Sequence, residues 1–525
     1  MEEVAGTATE RRNPAISRTH PAHAAAISAI LLVVLLTALV VATDGIWRGC
    51  AVIFLVVLPT WWVSRTGPSW RRGMVVLLVV TLGFSSAAMS WNYAHERFGS
   101  LIHAPVTGNT DQLDFTAMAW TWMRYSTLGT TDGPPLEMAV KEFSYRQDPI
   151  NPNRLAVWER RAEQPEELRQ YSYRAPGFPL LLGTVWKLTG YQPAYAPLLN
   201  LLLLAGAVMV LSAGAIRFVG LAGGTATGLA LATASAPMLW VGQAMSEPLT
   251  VFLMAVVISS TMGVLRSGKL WWWPVLGVGV GLLAITKQMF LPVGVLYLTV
   301  VAALVLWHRA KGRRRQLFGV ATGFIVAMGI VVPWAAYNVN NTGHVSLATG
   351  TAGWHDMAAS YSLAYLDGED RVRVRERHFT RWEERTGQPL PDETSRALVG
   401  RTMWQSQLAE GAYNFRLPQL MAHKSIRSAG ADLLGWLARL MALVGAAVAL
   451  RYGSVADRRL VLALAAMPVG LLLFISLTVE AGSRLLVTTW VVAAAMIGLG
   501  VQVWLDRPRR KPRSLGPERE TADQL

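Results

Sequence analysis

The chain has 525 residues, of which 52% are hydrophobic and 15% charged, with a formal net charge of +15 at pH 7. Soluble domains carry about 25% charged residues, so this composition excludes an ordinary soluble enzyme and a disordered chain and favours a polytopic membrane protein. The positive charge is also compatible with a nucleic-acid partner or an anionic membrane surface. The positions of the basic residues decide between these interpretations.

Apolar runs long enough to cross a bilayer recur along the whole chain. A helical span needs about 17–25 mostly apolar residues, and the sequence predicts twelve such spans. They cover residues 24–43, 49–64, 73–92, 195–216, 221–241, 248–265, 270–286, 289–307, 317–337, 433–450, 460–479 and 485–505. The predicted fold class is therefore an all-α polytopic membrane protein with about twelve transmembrane helices.

The spans divide the chain into six regions. In chain order these are the N-terminus with three spans (1–92), a first loop region (93–194), spans four to nine (195–337), a second loop region (338–432), the last three spans (433–505) and a basic tail (506–525).

Basic residues concentrate in the short connections between the spans. Short loops rich in lysine and arginine stay on the cytoplasmic side of a membrane, and with twelve spans these connections all fall on one side together with both termini. The segments 93–194 and 338–432 then lie on the outer face of the plasma membrane, where we expect them to form a cap. Because the cytoplasmic segments account for the whole excess of +15, the charge indicates topology, and no nucleic-acid partner is expected.

The outer segments contain helical patterns of their own. Residues 115–125 have helix-compatible apolar spacing, and residues 392–413 do so behind Asp392 as an N-cap. The apolar stretch 178–190 contains Lys187 and has only 13 residues, too few for a span. We therefore predict a re-entrant or interfacial helix on the outer face.

Three acidic residues stand at the predicted outer boundary. Asp111 and Asp114 precede a predicted helix and are spaced to share one face of a helical turn. Such carboxylates could act as a general base and its helper or bind a metal, and an N-cap role for Asp111 is an alternative. Glu247 is the only acid between residues 167 and 356. A helix-start role for Glu247 is favourable, but it accounts poorly for this solitary position.

Three basic residues, Arg174, Lys287 and Arg484, are predicted at the same outer interface, where positive charge is otherwise scarce. Each could be a long side chain that extends from an apolar surface to water. Their common location beside the carboxylates instead suggests an anionic head group, and arginine is well suited to phosphate.

Motifs for several other chemistries do not occur in the sequence. It has no H-E-x-x-H, no Walker A motif, no dinucleotide-binding fingerprint and no G-x-S-x-G elbow, so a zinc protease, an ATP-driven transporter and a serine hydrolase have no support. The single cysteine, Cys50, excludes intramolecular disulfides. Gly277, Gly279 and Gly281 are predicted to pack helices.

Five stretches of the sequence resemble the C superfamily of polytopic glycosyltransferases (GT-C), which use polyprenyl-phosphate sugars and include the protein mannosyltransferases and bacterial aminoarabinose transferases. They are TDQLDF at 110–115, YRAPGFPLLLGTVWKLTG at 173–190 followed by APLLNLLLL at 196–204, AMSEPLTVFL at 244–253, VVPWAAYNVNNTGHVSLATGTAGWHDM at 331–357 and GSRLLVTTWVV at 482–492. Their order and spacing cover most of residues 105–495.

The resemblance implies a transferase site at the outer face in which an acid of the first loop is the base. Asp111 matches that position, Asp114 is close enough to be the base instead, and Gln112 stands where many relatives have a second acid. Glu247 matches the second acidic position of the family. The basic positions that face the lipid phosphate match Arg174, Lys287 and Arg484.

The second outer segment also carries part of the resemblance. Trp354 and His355 fall in the stretch that closes over the substrate, and we expect them to contribute to substrate binding. Tyr337 departs from the family, because relatives often have an arginine there.

The implied function is transfer of a sugar from a polyprenyl-phosphate donor to a periplasmic or cell-envelope acceptor, which is a glycan, lipid or protein. Direct displacement of the phosphate would invert the anomeric carbon. No nucleotide or other cofactor is expected, although the paired acids are compatible with a divalent cation. The alternatives are a transporter or flippase of lipid-linked sugars and a non-catalytic envelope assembly protein.

Overall fold

The computed structural model describes residues 68–99, 110–129, 133–146, 174–308, 313–342, 433–478 and 487–507, with a few isolated positions between them. Every regular element in these ranges is a helix. The helices are α1 (Pro68–Phe98), α2 (Thr110–Tyr125), α3 (Gly133–Arg146), α4 (Gly177–Thr189), α5 (Tyr195–Phe218), α6 (Leu221–Ala232), α7 (Ser235–Met238), α8 (Glu247–Ser267), α9 (Trp272–Thr286), α10 (Phe290–His308), α11 (Arg313–Thr342), α12 (Leu433–Tyr452), α13 (Val455–Thr478) and α14 (Thr489–Asp506).

The described helices confirm an all-helical polytopic membrane protein. Six of them, α1, α5, α8, α10, α11 and α14, are long and apolar enough to cross a bilayer, and α6 and α9 are shorter apolar helices. Helices α12 and α13 coincide with the predicted spans at 433–450 and 460–479. The predicted spans 24–43 and 49–64 lie outside the described residues, so the total of twelve stays a prediction.

The predicted span 221–241 is not one helix. Helix α6 ends at Ala232, Ala234 is extended with ψ 114°, and only the short α7 follows. Pro237 has no N–H to donate to the carbonyl of Thr233, and its ring would clash there in a continuous helix. Residues 239–246 are non-helical and residues 241–246 are all buried, so their backbone polar groups need hydrogen-bond partners within the protein.

Helix α8 is the central helix of the described bundle, and nearly all of its residues are buried. It packs against α5 and α9 and also contacts α10, α13 and α14. Within this core the hydroxyls of Thr261 and Tyr297 are 2.8 Å apart and share a hydrogen bond. This pairing avoids the cost of an unpaired hydroxyl at that point of the apolar bundle.

The glycines of α9 pack helices, as the sequence predicts. A β-carbon on Gly277 would collide with the carbonyl oxygen of Gly323 in α11, and one on Gly281 would lie 2.9 Å from the carbonyl oxygen of Ala327. Gly279 faces Val257 of α8 in the same way. Small residues let α9 approach both neighbours closely.

The two ends of α8 both carry ion pairs. At its last turn Arg266 pairs with Asp457 of α13, and Asp457 also accepts hydrogen bonds from the backbone N–H and hydroxyl of Ser454 at 2.6 and 2.7 Å. At its first residue Glu247 pairs with Lys287. A helix of 21 residues separates these pairs by about 30 Å.

The two helices predicted within residues 93–194 both form. Residues 178–190 contain α4, and the predicted 115–125 helix is α2, which begins earlier, at Thr110. The rings of Phe115 and Phe178 pack edge to face with centroids 5.7 Å apart, and Gly183 lies directly against the carbonyl of Ala119. This close packing fixes the residues before α4 relative to the start of α2.

Candidate functional site

One arginine holds both aspartates of α2. Asp111 and Asp114 lie on the first turns of α2, and the guanidinium of Arg174 donates to each of them, from Nη2 to Asp111 Oδ1 and from Nε to Asp114 Oδ2 at 3.0 Å. Asp111 is inside the helix rather than ahead of it, where a negative charge also interacts favourably with the helix dipole. The spacing correctly predicted a common face for the two carboxylates.

A second, more deeply buried ion pair joins α8 and α9. Lys287 Nζ lies 2.9 Å from Glu247 Oε1, and the two side chains are only 13% and 2% exposed. Lys287 ends α9 in an extended conformation, and Glu247 begins α8. Glu247 is thus at a helix start, as the structural interpretation predicts, and it is also paired with a cation from the next helix.

Two neutral contacts connect the segments that carry these ion pairs. A β-carbon on Gly177, three residues after Arg174, would collide with Thr286, which immediately precedes Lys287. On the other side, Gln112 Nε2 donates to Gln243 Oε1 at 2.9 Å, four residues before Glu247. We call the five charged residues Asp111, Asp114, Arg174, Glu247 and Lys287 the ion-pair cluster. It contains three carboxylates and two cations.

An aromatic pair lies close to this cluster. The rings of Trp334 and Tyr337 in α11 stack with centroids 5.2 Å apart, and the Tyr337 hydroxyl donates to the carbonyl of Leu128 after α2. Trp334 belongs to the same buried apolar cluster as Ile285, which lies two residues before Lys287. Tyr337 therefore anchors α11 to the loop after α2.

Two residues of the site were missed from the sequence, Asn200 and Gln243. Asn200 is fully buried in α5 and donates to the carbonyl oxygens of Gln243 and Met245 at 2.6 and 3.3 Å. The signal for Asn200 was present, because an amide inside the apolar run 196–204 needs a partner. Gln243 had no such signal, because it lies in what resembles an ordinary turn.

Three predicted binding residues, Arg484, Trp354 and His355, lie outside the described residues, so their roles stay predictions. In the part of the chain that the structure describes, no group of three His, Cys, Asp or Glu side chains could hold a metal ion. A divalent cation at Asp111 and Asp114 would have to displace the guanidinium of Arg174.

No family model matches the sequence, and no curated protein matches it. Among solved structures, the chain is similar to ArnT from Cupriavidus metallidurans bound to undecaprenyl phosphate, with 15% identity and a TM-score of 0.44 over 80% of this chain and 59% of that chain. The apo ArnT structure matches with 14% identity and a TM-score of 0.36 over 80% of this chain and 77% of that chain. At these values the likeness assigns neither a family nor an activity to this chain.

Proposed function

We propose that this protein is a GT-C-type membrane glycosyltransferase that moves a sugar from a polyprenyl-phosphate carrier to a cell-envelope acceptor at the outer face of the plasma membrane. The observation that carries the proposal is the ion-pair cluster. Arg174 pairs with both Asp111 and Asp114, Lys287 pairs with Glu247, and neighbouring residues of the two paired groups are in contact in a chain with an apolar helical core. Ionisable groups are costly in such surroundings and usually serve function.

The cluster has the groups that the reaction needs. A sugar phosphate has a leaving group that requires little protonation, so the protein has to stabilise phosphate charge and remove a proton from the acceptor hydroxyl. Arg174 and Lys287 are suited to the first task because charge-assisted hydrogen bonds to phosphate are strong. Asp111 is our proposed base, with Asp114 as the alternative.

The shared arginine suggests how the base becomes available. Arg174 donates to both aspartates, so a phosphate that takes over donors of Arg174 releases a carboxylate oxygen. That carboxylate accepts the proton of the acceptor hydroxyl while the oxygen of this hydroxyl forms a bond to the anomeric carbon of the sugar. The bond from this carbon to the phosphate breaks on the opposite face, the polyprenyl phosphate leaves with the electron pair, and the anomeric carbon is inverted.

The remaining parts of the proposal concern residues and topology beyond the described site. Arg484, Trp354 and His355 complete the binding site from the later segments, and the outer loop regions 93–194 and 338–432 cover it. Both termini lie in the cytoplasm, and the chain is divided into the six regions that the predicted spans define. The reaction uses no nucleotide, and a divalent cation is not obligatory.

The test is sugar transfer by purified protein reconstituted in lipid. Undecaprenyl phosphate, the ligand of the similar ArnT structure, is the first carrier to use, loaded with a range of labelled sugars and offered with envelope extracts as acceptor. Asp111→Asn is expected to reduce transfer by a factor of about 10²–10⁴, the contribution of a general base, in protein that is still folded and inserted.

Asp457→Asn is the matched control, because Asp457 is also an aspartate paired with an arginine, but at the far end of α8. Its folded molecules are expected to keep the wild-type rate. Full activity of Asp111→Asn would exclude Asp111 as the base and transfer the role to Asp114. Movement of the carrier across the membrane without any sugar transfer would favour a flippase instead.

A further inference from the structure

Three buried amide side chains form a continuous chain beside the ion-pair cluster. Gln112 of α2 donates to the side chain of Gln243 at 2.9 Å, and Asn200 of α5 donates to the backbone carbonyl of Gln243 at 2.6 Å. All three residues are buried. We call Gln112, Gln243 and Asn200 the amide chain. It connects two helices through the non-helical segment 239–246.

The members of the amide chain lie close in sequence to the charged residues of the ion-pair cluster. Gln112 lies on the turn of α2 that carries Asp111 and Asp114. Gln243 precedes Glu247, the first residue of α8, by four positions. The amide chain therefore connects the segment with the proposed base to the segment with the second ion pair.

The amide chain differs from the ion pairs in charge. In the proposed reaction Arg174 exchanges a carboxylate partner for phosphate, so the ion pair that joins α2 to the residues before α4 is altered during the cycle. Amides carry no net charge and do not have to exchange partners when phosphate binds. Hydrogen bonds between buried amides are also stronger than in water because the local dielectric constant is low.

The non-helical segment makes this connection necessary. After the break at Ala234 and the short helix α7, residues 239–246 have no continuous helix to satisfy their backbone. Asn200 binds the carbonyls of Gln243 and Met245, and Gln243 Nε2 donates to the carbonyl of Leu239 at 3.4 Å. The Gln243 carbonyl also accepts from the backbone N–H of Met245 at 2.8 Å. The side chains of Asn200 and Gln243 thus supply the side-chain hydrogen bonds to the carbonyls of Gln243, Met245 and Leu239, and their loss would let the segment that presents Glu247 shift.

We propose that Gln112, Gln243 and Asn200 are positioning residues that hold the aspartates of α2 at a fixed distance from the Glu247–Lys287 pair, with Gln243 as the central member. The expected effect of the amide chain on catalysis rests on the proposed function, whereas its role in holding the segments together does not. A displacement of about 1 Å between catalytic groups costs on the order of 10²-fold in rate, so this connection controls turnover without contacting the substrate.

The first experiment measures thermal unfolding and needs no activity. Asp111→Asn is introduced into the wild type and into Gln243→Leu and Gln316→Leu backgrounds. Gln316 is the matched control because it is also a buried glutamine, which donates to the carbonyl of Gly268 at 3.2 Å and accepts from Trp273 Nε1 at 3.4 Å near the C-terminus of α8.

If the amide chain holds Asp111 in place, the Asp111–Arg174 contact contributes less once Gln243 is lost. The fall in Tm caused by Asp111→Asn should then be about half as large in the Gln243→Leu background as in the wild type, and unchanged in the Gln316→Leu background, because contacting networks are non-additive and distant sites are additive. Equal falls in all three backgrounds would overturn the proposal.

The second experiment measures kcat and the donor KM. Gln243→Leu is expected to lower kcat at least about tenfold while the donor KM stays within about threefold, the pattern for a group that acts in the transition state. Gln316→Leu should keep the wild-type kcat even if it lowers Tm by as much as Gln243→Leu does. If kcat falls in both variants in proportion to the fall in Tm, Gln243 has only a structural role, and the proposal that it positions the aspartates is refuted.

Gln112→Leu breaks the same Gln112–Gln243 hydrogen bond from the α2 side without adding a charge, so it is expected to lower kcat as Gln243→Leu does, and it serves as the second variant if the Gln243→Leu protein does not fold. A wild-type kcat in folded Gln112→Leu protein would count against the proposal. A wild-type protein without transferase activity would refute the proposed function, whereas the unfolding experiment would still decide on the amide chain.

Discussion

Replacing Lys287 with methionine should destabilise the protein strongly, because it leaves the carboxylate of Glu247 buried without this cation. The two charges lie 2.9 Å apart, which at an effective dielectric constant of about 20 corresponds to an attraction of about 6 kcal/mol. The cost of removing both groups from water offsets part of this attraction. Loss of one partner from a buried pair costs about 3–5 kcal/mol, and we expect Lys287→Met to fall in this range.

The matched double variant separates pairing from binding. Adding Glu247→Gln to Lys287→Met removes the buried negative charge, so most of the lost stability should return, as for other buried pairs replaced together. Thermal unfolding of the purified protein, followed by tryptophan fluorescence, measures both variants. Titration with undecaprenyl phosphate should show weak binding to the double variant even though its stability is restored. The reason is that Lys287, the side chain proposed to bind the phosphate, is still missing.

Two results would refute this reasoning. A double variant as unstable as Lys287→Met would mean that Glu247 and Lys287 do not stabilise each other. A double variant that binds undecaprenyl phosphate as the wild type does would remove Lys287 from the phosphate site, and the proposed function would then depend on Arg174.

Two further changes test the packing around the site and the far end of α8. Gly177→Ala places a β-carbon against Thr286 and should cost about 1–3 kcal/mol, measured by thermal unfolding, whereas Gly329→Ala in α11 meets no atom within 4 Å and should be neutral or slightly stabilising. Asp457→Asn removes the carboxylate that Arg266 and Ser454 bind and should lower stability by about 1–3 kcal/mol. Wild-type Tm values for both Gly177→Ala and Asp457→Asn would contradict these contacts.

The prediction of helices from sequence succeeded where the signal is local. Apolar runs of span length predicted α1, α5, α8, α10, α11 and α14, and a run too short for a span predicted α4. The span at 221–241 was wrong because length and hydropathy outweighed Pro237, a local signal that predicts a break. The error matters for the site, since the break creates the non-helical segment that leads to Glu247.

The candidate charged residues could be chosen from the sequence, but their partners could not. Arg174 is 60 positions from Asp114, and Lys287 is 40 positions from Glu247. A spacing rule relates residues within a few turns of one helix; it does not say which helix ends meet. The sequence therefore predicted a shared phosphate role for Arg174, Lys287 and Arg484, without indicating that Arg174 and Lys287 are each already held by a carboxylate.

The sequence alone determined that this is an all-helical membrane protein and which few ionisable residues stand out in it, because composition, apolar length and charge are local properties. Only the tertiary structure decided that Arg174 bridges Asp111 and Asp114, that Lys287 pairs with Glu247, and that a chain of neutral amides joins these groups. These contacts depend on how α2, α8 and α9 pack. That packing is set by close approaches such as Gly177 on Thr286, which involve residues more than a hundred positions apart.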